Sequence, residues 1–130
     1  MDAATRELVR RRAQNRCEYC HLPQAYSELR HHIEHIVAKQ HGGRDEANNL
    51  ALACHRCNLC KGPNLTGVDP HSGELVHLFN PRRDQWAEHF LLHGVRIIGI
   101  TSVGRATIHL LSMNDPRRLE LRSEIVTRNE

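Results

Sequence analysis

The sequence predicts an α+β fold built on a strand–turn–strand–helix unit, and three observations carry that expectation. Two C-x2-C pairs, Cys17/Cys20 and Cys54/Cys57, bracket one stretch of chain at the separation of a four-thiolate metal site. Between them Gly42-Gly43 marks a turn, because paired glycines supply backbone conformations that other residues resist. After the second pair, Cys54–Lys61 reads as a helix stopped by Gly62-Pro63.

In chain order, residues 3–15 read as a helix of good helix formers with Asp2 as N-cap. Leu8 and Val9 give it a thin apolar stripe, so it lies on the surface with an arginine-rich outer face. Cys17–Cys20 forms the first knuckle. Residues 27–37 alternate weakly enough to suggest a strand, with the turn at 40–43 and a second strand at Leu50–Ala53. Farther on, residues 68–79 read as a hairpin around a Pro/Ser/Gly turn. Asn80-Pro81 has the form of a helix start, with Trp86 and Phe90 on one face as core residues and Gly94 as the stop. Residues 95–100 suggest another strand, a helix follows from Thr101 or Ser102, and Asp115-Pro116 opens a last one. With no repeat or linker, the expectation is a single domain over 1–130, with a core at 17–62 and a scaffold extension at 64–130.

Composition bounds the function. The chain has 130 residues, 39% of them apolar and 25% charged, with few aromatics. No apolar run reaches the roughly 20 residues of a membrane span, and no signal-like N-terminus appears, so no membrane partner and a cytoplasmic location are expected. Five cysteines, four of them in C-x2-C pairs, favour metal over disulfides, with Cys60 left over as a small buried apolar residue. The net charge of +3 is modest, but it is almost all arginine, since Lys39 and Lys61 are the only lysines. Guanidinium forks match phosphate in two-point geometry, where ammonium is a point charge. Lys61 reads equally as a phosphate contact or a solvated residue. The scarcity of aromatics argues against base stacking on single strands as the main binding mode.

The bracketed interval also carries a reactive set. Phosphodiester hydrolysis needs an activated water, a cation on the phosphate and a stabilised leaving oxygen. Histidine can serve as the base near neutral pH, an Asn side chain can orient it, and a hard cation takes oxygen ligands. His35, Asn49, Glu34 and Asn58 are the residue types for these tasks. Neighbours on a regular strand face opposite ways, so Glu34 and His35 can meet one phosphate only if the strand loses regularity near residue 35. His32 shares the face of Glu34 and is its rival as a ligand.

Taken together, Cys17-x2-Cys20, His32-Ile-Glu34-His35-Ile, His41-Gly42-Gly43, Asn49-Leu50 and Cys54-x2-Cys57-Asn58-x2-Lys61 resemble the zinc-stapled HNH endonucleases. The resemblance is dense over 17–62 and loose beyond it. It implies a ββα-metal finger stapled by a four-Cys zinc site, to which the C-terminal β-hairpin and helices read above form an extension. It also implies His35 as general base, Asn49 as the residue holding that base, and Cys17, Cys20, Cys54 and Cys57 as the zinc ligands. Glu34 and Asn58 would be ligands of a catalytic Mg²⁺ or Mn²⁺. Glu34 stands where the family commonly has Asp, and Asn58 where others have His; both keep an oxygen ligand. The expected activity is metal-dependent cleavage of nucleic acid, with double-stranded DNA held through its phosphates as partner. The competing readings are a zinc-stapled nucleic-acid-binding module without cleavage and a protein-interaction domain.

Overall fold

The computed structural model describes residues 1–129. They form a mixed α+β chain of five α-helices and three separate two-stranded antiparallel hairpins, divided into two compact units. The first unit comprises residues 1–65 and 80–84, and the second residues 66–79 and those from Gln85 onward.

In the first unit, α1 (Ala3–Arg12) is capped by Asp2, whose carboxylate accepts from the Thr5 amide at 2.8 Å. It ends three residues before the expected position 15, because Gln14 and Asn15 both turn left-handed, at φ 56° and 54°. One apolar edge of α1 then closes the core: Val9 and Ala13 pack with Leu50 and Leu52, and Ile33 covers them. That core lies under the hairpin of β1 (His32–His35) and β2 (Leu50–Ala53), in register from His32 opposite Ala53 to His35 opposite Leu50. The strand expected over 27–37 is therefore reduced to four residues, preceded by a 3₁₀ turn at Gln24–Tyr26. Only four residues of β2 are available to pair with, so the remainder has no ladder to join. Helix α2 (His55–Lys61) follows with Cys54 as N-cap, completing the expected strand–turn–strand–helix order.

Residues 80–84 form a closed loop in place of the expected helix start. Asn80 Oδ1 accepts from the Arg82 amide, and the Asn80 amide donates to Asp84 Oδ2, both at 2.9 Å. The Asn80 side chain that would cap a helix is spent closing this turn, and Arg82 is bonded to Glu18 of the first knuckle.

The second unit contains the hairpin β3 (Thr66–Val68) and β4 (Leu75–His77), the single turn α3 (Trp86–His89), and the hairpin β5 (Phe90–His93) and β6 (Arg96–Gly99). Helices α4 (Ser102–Leu111) and α5 (Pro116–Arg128) complete it, capped by Thr101 and Asp115. The helix expected to run as far as Gly94 stops at His89. Instead Leu91 pairs with Ile98 and Leu92 with Ile97, and Gly94, at φ 62°, makes a two-residue turn. The β-branched partner run overrides the helical spacing of Trp86 and Phe90, whose rings still stack 5.0 Å apart. Gly104 lets α4 press against the end of α3, since a Cβ there would fall 2.1 Å from the His89 carbonyl oxygen.

Candidate functional site

The four expected cysteines converge. Cys17, Cys20, Cys54 and Cys57 are all buried, with their sulfurs within 4.8 Å of one another. The Cys20 and Cys54 sulfurs are 3.7 Å apart, which matches the edge of about 3.7–3.8 Å that a tetrahedron with Zn–S bonds of about 2.3 Å requires. Each knuckle turns a backbone amide onto its first sulfur, Cys20 onto Cys17 at 3.5 Å and Cys57 onto Cys54 at 3.4 Å. Burial pushes the Cys17 and Cys57 thiols well up, so a nest of thiolates here calls for a cation. The donor set and spacing fit zinc. Glu18, inside the first knuckle, ties it to β2: its amide donates to the Leu52 carbonyl and its Oε2 accepts from the Leu52 amide, each at 2.8 Å. Cys60 stands outside the cluster and is half-buried where burial was expected.

Strand β1 stays regular through its last residue and bends only at 36–37. Glu34 and His35 therefore project to opposite faces. The expected loss of regularity falls just past the position that would have turned both side chains toward one phosphate.

His35 is half-exposed, and its Nε2 lies 2.6 Å from Asp45 Oδ1. This bond holds the ring and draws the Asp45 carboxyl below the usual carboxylate range. Asp45 escaped the sequence reading; the one available signal was an acid just past the Gly42-Gly43 turn, ten residues after the histidine.

Asn49 holds the connection between the strands. Its Oδ1 accepts from the Val37 amide at 2.9 Å, and its Nδ2 donates to the carbonyls of Val37 at 3.0 Å and Arg44 at 2.9 Å. Gly43 fits the same loop because a Cβ would lie 1.7 Å from the Val37 oxygen. Asn49 thus ties the backbone just after His35 to the segment that leads into Asp45.

Glu34 is only 6% exposed, bonded to the Tyr19 hydroxyl through Oε1 and 3.9 Å from Lys61 Nζ through Oε2. Burial pushes its carboxyl up to about 7, against the pull of Lys61 and Tyr19. Lys61, neither solvated nor on the surface, is 2% exposed and donates to the Ile36 carbonyl at 3.0 Å. Neither Tyr19 nor the internal role of Lys61 was legible without the packing. Asn58 lies half-buried on α2. His32 is exposed at the start of β1, with His55 of α2 beside it.

A basic groove of about 910 Å³ runs along α1, lined by Arg6, Arg10, Arg11 and Arg30 with Glu7 as its acid. Arg11 pairs with Glu7 at 3.7 Å, and Arg10 Nη2 donates to the His31 carbonyl at 3.0 Å. Burial and then the charge of Arg30 lower the Arg10 guanidinium, so an anion in the groove relieves a repulsion already present.

No curated protein and no solved structure gives a match to this chain. The model of the family described as HNH endonuclease matches residues 17–64. That span holds the converged cysteines, β1, the Asn49-tied loop, β2 and α2. Residues 17–64 are thus similar to the HNH endonuclease family, and the four-cysteine cluster within them is consistent with the zinc-stapled type.

Proposed function

We propose that this protein is a metal-dependent endonuclease that hydrolyses nucleic acid phosphodiesters, with double-stranded DNA as the first substrate to test. The observation that supports this most is the His35–Asp45 pair at the open end of β1, inside the segment that matches the HNH family. With Nε2 bound to the carboxylate, Nδ1 of His35 is the nitrogen that accepts a proton from an attacking water. Asp45 then stabilises the imidazolium that forms. Asn49 acts through the backbone, fixing the two loop segments that carry His35 and Asp45.

A hard cation, Mg²⁺ or Mn²⁺, is assigned to the oxygen donors of Asn58 and Glu34; because Glu34 faces away from His35 on a regular β1, its share in that site requires the end of β1 to unpair when substrate binds. When bound, the cation neutralises charge on the scissile phosphate. Both oxygens of Glu34 already have partners, Tyr19 and Lys61, so serving as a ligand requires it to exchange one of them. The arginine groove would take the phosphate backbone. The four cysteines would hold structural zinc, fastening the start of α2 to the first knuckle. The second unit is proposed as a scaffold extension of one HNH domain.

Plasmid cleavage by purified protein with Mg²⁺ or Mn²⁺ tests the reading, beside EDTA and His35→Ala. Cleavage should vanish with EDTA and fall about 10²–10⁴-fold in the variant, the usual contribution of a positioned base. Zinc content reports that the variant has folded. The burial of Glu34 favours a second reading, a zinc-stapled module that binds nucleic acid without cutting it. Salt-sensitive DNA binding with no cleavage by the wild type would establish that reading instead.

A further inference from the structure

His32 and His55 form a pair that the nuclease reading does not use. His32 opens β1 opposite Ala53, and His55 opens α2 directly after Cys54. Their rings face each other with Nε2 of His32 3.3 Å from Nδ1 of His55, centroids 5.5 Å apart and planes inclined at 34°. One nitrogen of each ring therefore comes within reach of a shared cation, and His32 is exposed while His55 is half-buried.

A direct hydrogen bond across this gap would be long against the usual range of about 2.7–3.2 Å for a nitrogen donor. The same separation is the edge of a tetrahedron around a transition cation. Two Zn–N bonds of about 2.0–2.1 Å at the tetrahedral angle place the nitrogens about 3.3–3.4 Å apart. We propose that His32 and His55 form a second metal site, for a borderline divalent cation such as Zn²⁺, Co²⁺ or Ni²⁺, with water in the remaining positions. Imidazole suits these ions, whereas Mg²⁺ prefers oxygen donors, so the site is chemically distinct from the one assigned to Glu34 and Asn58. Both ligands sit on fixed backbone. The β1–β2 ladder carries His32, and the knuckle that orders Cys54–Cys57 fixes the first turn of α2. Little rearrangement is needed to close the site.

The inference rests on this pair's geometry and stands whether or not the protein cuts nucleic acid. Its test uses the full, untagged chain loaded with one equivalent of zinc, titrated with Co²⁺ and followed by visible absorption. With excess Mg²⁺ present to fill the oxygen site assigned to Glu34 and Asn58, wild type should take one further equivalent, giving weak d–d bands without the intense thiolate-to-cobalt charge transfer of a cysteine site. His32→Ala and His55→Ala should each weaken that step by at least the roughly 10–100-fold that losing even an outer-shell partner costs. Retained zinc shows that the Cys site survives in each variant; if an alanine variant loses it, His32→Gln and His55→Gln decide. Absence of a second equivalent in the wild type would overturn the proposal. So would cobalt binding undiminished in both variants.

Discussion

At the residue scale the chemistry turns on which face each side chain takes. His35 and Glu34 are neighbours, yet one meets Asp45 near solvent and the other is enclosed by Tyr19 and Lys61. If Asp45 orients the base, Asp45→Ala should lower cleavage less than His35→Ala does and should also shift the pH–rate profile. A purely structural role would leave that profile in place, so the full profile, and not a single rate, is the quantity to measure. Asp69 offers a separate check on electrostatics. Arg105 grips both its oxygens, at 3.0 and 2.8 Å, and with the His71 amide and Ser72 hydroxyl holds the carboxyl well below its ordinary 3.8. A depressed folded-state pKa adds stability that is complete above the unfolded value and is lost as pH falls below it. Asp69→Asn should therefore flatten the acid limb of stability below about pH 4 while lowering stability at neutral pH. The single tryptophan, Trp86, lies in the same unit, and its fluorescence during acid unfolding would reveal the change.

At the scale of elements, the β1–β2 hairpin and α1 depend on one small core. Leu52 is fully buried there, and Leu52→Ala should cost about 2–5 kcal/mol, measured by urea unfolding. The groove on α1 makes an electrostatic prediction. If Arg6 and Arg30 contact phosphate, replacing either with alanine should weaken DNA binding across sequences and reduce the salt-dependence slope by about 1. Binding isotherms at several salt concentrations would settle this, and an unchanged slope would move the contact surface elsewhere. The elements also show where sequence periodicity is ambiguous. Residues 90–93 fit a helix by the spacing of Trp86 and Phe90, but they form a strand because residues 96–99 are placed to pair with them.

At the scale of the whole molecule, the sequence by itself determined the parts whose signals are local. The paired cysteines specify a metal nest, Gly42-Gly43 the turn, Cys54–Lys61 the helix behind it, and Asp2, Thr101 and Asp115 the helix starts. Each depends on residues a few positions apart, where capping, turn sterics and thiolate spacing act within one stretch of chain. Tertiary structure alone decided the rest. It joined 80–84 to the first unit, enclosed Lys61, brought Asp45 to His35, and set His32 against His55. Those outcomes depend on burial and on partners distant in sequence: a lysine's solvation, a carboxylate's ionisation and a histidine's neighbour are properties of the surroundings that folding builds.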